Sequence, residues 1–337
     1  MSVFSHNDLT MIWAAIIGFA IVAYVVMHGF DLGIGILFPF IAVGEDRDTT
    51  MNSIAPVWDG NETWLVLGGG GLLAAFPLAY VIILPALYVP LMAMLLGLVL
   101  RGVAFEFRWR DPAHRAAWDL AFTAGSTLAA FMQGAALGGL LQGVRVVARG
   151  FAGGAWDWLS GFSLLTGASL VLGYALLGAC WLNWKTQGPL QSQSVQYARR
   201  FGIMLLLAIG GVSLATLRLD ADYAGRWLSM PDILFTALVP LATIIVTIMF
   251  YRSLQHRRDV QPFFWALALF GLCIIGLGIS IWPDVVPVRV TIWQAAAPLR
   301  SQVFRLIGAG IMVPIILVYT GWAYWVFRGK VDIAGYH

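Results

Sequence analysis

Charged residues are scarce in this chain, and their scarcity excludes a water-exposed globular protein. Only 11% of the 337 residues are Asp, Glu, Lys or Arg, whereas 60% are apolar. A soluble domain carries about 25% charged residues, because polar side chains must cover much of its surface. The composition therefore predicts that a lipid bilayer surrounds most of the chain.

Cysteine and histidine are also rare. The two cysteines, Cys180 and Cys273, lie inside apolar runs, which predicts neither a disulfide framework nor a metal site. Of the five histidines, only His28 lies inside an apolar run. Membrane-embedded b-type hemes usually need two axial His or Met ligands. A bis-histidine heme site is therefore excluded, and one heme held by His28 with Met27 or Met92 is the alternative left open.

Nine apolar runs, each long enough for a membrane-spanning helix of about 20 residues, are separated by short polar connections. The first run lacks a preceding basic segment and a cleavage site, so we expect a retained span. The pattern predicts an all-α integral membrane protein that forms one polytopic domain over 1–337. The predicted spans are 9–43, 54–76, 78–100, 117–142, 159–183, 201–217, 232–251, 262–282 and 304–327.

The Lys and Arg residues are unequally divided between the two faces that nine crossings create. The face with the connections near 47, 101–115, 185–200 and 252–258 and the C-terminus carries 13 of the 20, and the other face carries 7. The positive-inside rule then places the C-terminus in the cytoplasm and the N-terminus outside. The basic residues are spread over the loops, so no nucleic acid partner is expected.

Ionisable groups interrupt the first predicted span, where His28 is followed by Asp31. An aspartate at the centre of a bilayer helix costs about 2.5–3.5 kcal/mol, so it needs a partner, a water-filled cavity or a proton. Asp31 lies 12 residues before the end of its predicted span, which corresponds to about 18 Å. Asp31 is therefore a functional candidate, whereas His28 is more often a packing residue than a ligand.

The second predicted span opens with two acids, Asp59 and Glu62, which are three residues apart and therefore on one helix face. The third span is predicted to return to the same side at Arg101, close to Glu106. This topology predicts an arginine–carboxylate pairing at one leaflet. The alternatives are that Asp59 only complements the helix dipole and that Arg101 is a snorkelling interfacial charge.

Two other classes of membrane protein fit parts of this pattern. A midplane acid among glycines, as at Asp31 with Gly29 and Gly33, is also typical of secondary transporters. The glycines and the run 68–71 favour close helix packing, which a purely structural scaffold would also use.

Several motifs resemble subunit II of the cytochrome bd-type quinol oxidases. The most specific are Gly29–Gly33, Met51–Pro56, Trp58–Asn61, Trp64 with Leu65, and Arg101 with Phe105. Weaker similarity continues at Leu140–Gly143, Trp282–Pro283, Thr291–Trp293, Pro314–Leu317, Tyr319 and Trp322. The short connections are most similar to the cyanide-insensitive branch.

The resemblance implies a fold of two four-helix bundles, at 9–142 and at 159–327 with one extra peripheral helix. It also implies a partner, subunit I, that carries the b- and d-type hemes and oxidises quinol, with none bound by this chain. A small third subunit, and a structural quinone or lipid near Trp58 and Asp59, belong to the same expectation.

The resemblance implies roles for individual residues of the first bundle. Asp59, Asp31 and Glu62 would form a cytoplasmic proton path. The residues expected to support this polar cluster are Arg101, Trp58, Asn61 and Glu106. The chain departs from the family pattern at His28, Glu62 and Gln294.

Overall fold

A computed structural model describes residues 5–331, and nearly all of them are helical. The helices are α1 His6–Leu37, α2 Glu45–Asn52, α3 Trp58–Ala75, α4 Pro77–Ala86, α5 Tyr88–Arg110, α6 Arg115–Leu141, α7 Gly161–Lys185, α8 Gly188–Thr216, α9 Ala221–Leu228, α10 Ile233–Thr236, α11 Leu238–Gln255, α12 Gln261–Ile281, α13 Ile292–Ala295 and α14 Leu299–Val326. Short 3-10 turns cover Phe38–Phe40 and Pro112–His114. Two antiparallel hairpins pair β1 Val146–Val147 with β2 Gly150–Phe151, and β3 Asp284–Val286 with β4 Val290–Thr291.

Eight helical segments of residues 5–331 are long and apolar enough to cross a membrane, namely α1, α5, α6, α7, α8, α10 with α11, α12 and α14. The remaining long helix, α3, has 18 residues, but Asp59, Asn61 and Glu62 in its first turns lower its mean hydropathy. The prediction of an all-α membrane protein is therefore confirmed. The two termini themselves lie outside the described residues.

The predicted third span, 78–100, is wrong. Those residues belong to two helices, α4 and α5, which meet at Leu87. Because apolar residues continue through this break, hydropathy gives no sign of it. Pro85 and Pro90 on either side are its sequence markers. Helix α5 also continues nine residues beyond Arg101, which is fully buried and so does not mark the membrane surface.

The predicted boundaries at 201 and at 43 are also wrong. In both cases the change between polar and apolar residues does not lie where the helix begins or ends. Helix α8 begins at Gly188 rather than at 201, and its polar first turns are helical. Helix α1 ends at Leu37 rather than at 43. Asp31 is therefore six residues from the end of its helix, about 9 Å instead of the predicted 18 Å.

The helix ends gather on two faces. On one, which we call the C-terminal face, Lys185 at the end of α7 donates to the Phe327 carbonyl after α14, and Asn183 donates to the Asp259 carbonyl before α12. On the opposite N-terminal face, the Trp13 indole donates to the Gln302 carbonyl. The ends of α1 and α5 lie on the C-terminal face as well.

Helix α1 is central because it packs against α3, α6 and α7. Phe30 stacks on Trp181 of α7 with ring centroids 4.0 Å apart. Beside them the backbones touch, since a Cβ on Gly33 would lie 2.8 Å from the Gly178 nitrogen and would overlap the Tyr174 carbonyl. The predicted close packing at Gly33 is therefore present.

Helix α14 is peripheral, as its apolar stretch buries no residue within the chain. The predicted division into bundles at 9–142 and 159–327 stays a prediction. Helix α1 belongs to the first of these ranges, but it also packs extensively against α7 of the second.

We expect Gly33→Ala to lower the free energy of unfolding by about 1–3 kcal/mol, because the added methyl group overpacks the α1–α7 contact. Thermal unfolding of the purified protein in mild detergent measures this change. Gly18→Ala is the matched control, since a Cβ there meets nothing within 4 Å. Equal melting temperatures for the two variants would contradict the assigned packing.

Candidate functional site

A buried carboxylate and amide form the centre of a polar cluster between α1 and α3. Asp31 is 0% exposed, and the Asn61 amide donates to its carboxylate at 2.7 Å. The same amide group donates to the Met27 carbonyl at 3.1 Å. The Tyr324 hydroxyl of α14 donates to the Asn61 amide oxygen at 3.0 Å. Asn61 therefore joins the acid to two further helices.

His28 lies between two carboxylates. Its Nδ1 is 3.7 Å from Asp31 Oδ2, and its Nε2 is 3.9 Å from Glu62 Oε1. The ring is 1% exposed and stacks on Tyr24 with centroids 5.1 Å apart. Neither ring nitrogen has a hydrogen-bond partner within the described part of the chain. The imidazole thus spans the gap between a buried acid and a more accessible one.

Arg101 neutralises the accessible acid. Its Nη1 donates to Glu62 at 3.1 Å, and its guanidinium lies over the rings of Trp58 and Phe122 at 5.5 and 5.9 Å. Arg101 is 0% exposed, whereas the Glu62 side chain is 29% exposed. Arg101 Nε and Nη2 have no hydrogen-bond partner among residues 5–331. Glu62 is therefore the open end of the cluster.

The structure brings together five of the predicted site residues, namely Asp31, Trp58, Asn61, Glu62 and Arg101. It does not bring in Glu106, which is 51% exposed and lies 3.9 Å from Arg110. The predicted place of Glu106 in the cluster is wrong, because five residues along a helix rotate a side chain by about 140° away from Arg101.

Asp59 is exposed at the start of α3. It has no hydrogen bond or ion pair with another residue in the described ranges. The predicted pairing of an arginine with an acid of this helix is therefore made by Glu62 and not by Asp59.

Two tyrosines belong to the cluster although the sequence analysis did not select them. Tyr24 was detectable, since Tyr24, His28 and Asp31 lie at i, i+4 and i+7 and so on one face of α1. Tyr324 gives no such signal, because it is 263 positions away from Asn61 in sequence.

A second group of charged side chains lies at the C-terminal face, next to the cluster. Arg108 bridges Asp119 and Asp48 at 2.5 and 2.8 Å. Arg47 and Arg115 complete the network at 2.7 Å from Asp119 and 2.8 Å from Asp48. These ion pairs fasten the α1–α3 connection to the turn between α5 and α6. Among the described residues there is no group of three or more His, Cys, Asp or Glu side chains that could hold a metal ion.

A family model for cytochrome bd terminal oxidase subunit II matches residues 9–327. The chain belongs to this family. The resemblance predicted from its motifs is thus confirmed, and the transporter alternative is wrong. The chain is a subunit of an oxidase rather than an enzyme complete in itself.

Individual relatives match over nearly the full length of this subunit II. It is 27% identical to the cytochrome bd-I ubiquinol oxidase subunit 2 of Escherichia coli, covering 97% of this chain and 96% of the relative. It is 30% identical to the probable cytochrome oxidase subunit 2 of Haemophilus influenzae, with the same coverage. The solved bd oxidase structure from Geobacillus thermodenitrificans shares the fold, with a TM-score of 0.74 at 18% identity over 95% of this chain and 99% of that chain.

We expect Glu62→Gln to lower the free energy of unfolding by about 3–5 kcal/mol, since it leaves the buried charge of Arg101 unpaired. Arg101→Met should cost less, since the Glu62 carboxylate that it leaves is partly exposed. The double variant should recover most of that loss, because both charges are then gone. Unfolding of the purified protein in detergent measures the coupling.

Glu106→Gln is the control for this pair. It removes an exposed partner of Arg110, and an exposed ion pair contributes only about 0–1 kcal/mol. If Glu62→Gln were as mild as Glu106→Gln, the structural importance of the buried pair would be refuted.

Proposed function

We propose that this subunit II supports the heme-bearing subunit I of a quinol:oxygen oxidoreductase and conducts protons to it from the C-terminal face. The polar cluster inside an apolar helix bundle carries this proposal, since an intramembrane acid marks an ion or proton pathway by default. Relatives from Escherichia coli and Bacillus subtilis are named as ubiquinol oxidase subunits. Oxygen reduction consumes protons, and these must reach a buried heme.

The residues of this chain do not fit the hemes, which we assign to subunit I. His28 is enclosed by Tyr24 and two carboxylates. His114 and His256 are exposed at helix ends. The described part of the chain therefore offers no pair of facing histidine ligands inside its spans.

We assign the path to four side chains in order of depth. Asp59 is exposed near the C-terminal face, and Glu62 lies one turn further along α3. From Glu62 the His28 ring leads to Asp31 over separations of 3.9 and 3.7 Å. Both gaps exceed a direct hydrogen bond of about 2.6–3.2 Å, so each transfer needs a bridging water or a small side-chain rotation. Arg101 holds Glu62 in place at the open end.

The outer face of α3 is the surface on which we place subunit I. Asp59, Thr63, Val66 and Gly70 are exposed along one side of this helix. An acid that points out of a spanning helix needs protein or water beside it. Gly69 and Gly70 would accept a Cβ without meeting any atom of this chain within 4 Å, so a neighbouring helix has room for a close approach.

A structural quinone or lipid beside Trp58 and Asp59 is part of the proposal. Arg101 keeps two donor groups without partners in the described chain, next to the partly exposed Trp58 ring. A quinone carbonyl is an acceptor of the kind these donors lack. A small third subunit and membership of the cyanide-insensitive branch stay predictions.

We expect Asp59→Asn, in the enzyme purified with subunit I, to keep normal heme content and to slow quinol oxidation by about tenfold. This is less than the roughly 100-fold or larger effect typical of a group that transfers a proton in the chemical step itself. Oxygen uptake with a soluble quinol, at neutral and alkaline pH, measures the rate.

Asp222→Asn is the matched control, because Asp222 is also exposed but lies in α9 on the N-terminal face. A parental rate in fully heme-loaded Asp59→Asn enzyme across this pH range would refute proton entry at Asp59. Loss of heme would instead assign Asp59 to assembly.

We also propose that the protein lies in the inner membrane with its C-terminal face in the cytoplasm, because 12 of its 19 Lys and Arg residues other than the buried Arg101 lie on that face. In a variant lacking Cys180 and Cys273, Arg110→Cys and Arg257→Cys should resist a membrane-impermeant maleimide in intact cells. Val147→Cys in the exposed β1 strand should react. The reverse labelling pattern would invert the topology.

A further inference from the structure

Six exposed arginines on the C-terminal face have no ion pair with an acid of residues 5–331. One of them, Arg328, follows α14 and donates to the Trp325 carbonyl, whereas the other five gather at α8 and α11. Arg47, Arg108, Arg110 and Arg115 each lie within 4.0 Å of a carboxylate. The members of what we call the arginine group have no ion pair with any acid of residues 5–331. The arginine group consists of Arg199, Arg200, Arg252, Arg257 and Arg258, all exposed.

The arginine group comes from α8 and from the end of α11 with the turn that follows it. The Tyr251 hydroxyl of α11 donates to the Arg199 carbonyl of α8 at 3.3 Å, so the arginine pair of α8 adjoins the end of α11. The nearest acid in sequence, Asp259, is occupied by Lys330 at 2.8 Å and by the Gln191 amide at 2.9 Å. No acid of residues 5–331 therefore lies within 4.0 Å of a charged nitrogen of the arginine group.

Each of the two helices continues from its arginine into an exposed apolar stripe. On α8 the stripe below Arg200 contains Ile203 and Leu207, which are 56% and 73% exposed. On α11 the stripe below Arg252 contains Ile248 and Ile245, each 50% exposed. The spacing of three or four residues puts each stripe on one helix face. On each helix, an exposed arginine thus lies at the end of an exposed apolar face.

We propose that the arginine group binds the phosphate headgroups of anionic phospholipids, with the acyl chains lying along the stripes of α8 and α11. Guanidinium groups bind phosphate oxygens through paired hydrogen bonds. The positive-inside rule accounts for the number of cations on this face, but it does not require them to be unpaired and gathered at two adjoining helices. The site is independent of the proposed proton path.

Lipid retention by the intact two-subunit complex tests the proposal. The complex is exposed to phosphatidylglycerol or phosphatidylcholine in detergent, and bound lipid is counted by native mass spectrometry. Arg199→Gln/Arg200→Gln and Arg252→Gln/Arg258→Gln should each weaken phosphatidylglycerol binding by about fivefold per arginine. Phosphatidylcholine binding should stay unchanged. Raising the salt concentration should also weaken phosphatidylglycerol binding to the parental complex. This measurement needs no variant.

Arg145→Gln/Arg149→Gln is the matched control, because it removes two exposed arginines from the N-terminal face. It should bind phosphatidylglycerol like the parent. Arg199→Lys/Arg200→Lys keeps the charge and should retain more lipid than the glutamine pair. Equal loss in the control and in the arginine-group variants would overturn the site. Equal retention of the two lipids by the parent would overturn it too, as would displacement by equimolar inorganic phosphate.

Discussion

The structure depends on one constraint, which is that the Arg101 guanidinium is fully buried inside an apolar bundle. A buried cation without a partner costs several kcal/mol, so Glu62 must lie within reach, and it does at 3.1 Å. That requirement fixes how α3 faces α5. Asp59, three residues earlier, is exposed and has no hydrogen bond or ion pair with another described residue. One ion pair therefore brings a single acid at the start of α3, Glu62, into the cluster.

The Arg101–Glu62 pair also lies at the exposed end of the cluster. Exposure falls from Glu62 at 29% to His28 at 1% and Asp31 at 0%, while Asn61 holds the deepest acid by a hydrogen bond. Close packing of α1 on α7 at Gly33 keeps this face of α1 fixed against the rest of the chain. The glycines of α3 differ from Gly33. A Cβ on Gly69 or Gly70 would meet no atom of this subunit within 4 Å, so these positions leave room for another subunit.

Much of the fold follows from the sequence, because a bilayer forces apolar segments of fixed length and the most specific family motifs lie between Gly29 and Phe105. The helix break at Leu87 gives no sign in hydropathy, since apolar residues continue on both sides of it, and only Pro85 and Pro90 mark it in the sequence. The predicted position of Arg101 at the membrane surface is wrong for a physical reason. Unpaired charges stay at the surface, whereas a paired charge such as that of Arg101 can lie deep in the bundle. Tyr324 could not be found at all, because its contact with Asn61 depends on tertiary packing alone.

The same rule, that a cation needs an anionic partner, applies to the arginines of the C-terminal face. Where α2 and α6 carry acids, at Asp48 and Asp119, the arginines bind them and fasten the α1–α3 connection to the turn between α5 and α6. Where α8 meets α11, no acid of residues 5–331 pairs with the arginines, and the guanidinium groups stay exposed. Exposed guanidinium groups at this depth face either water or lipid phosphate. Because the helices beneath them are apolar on the same side, the neighbour that satisfies both the charge and the apolar stripe is an anionic lipid.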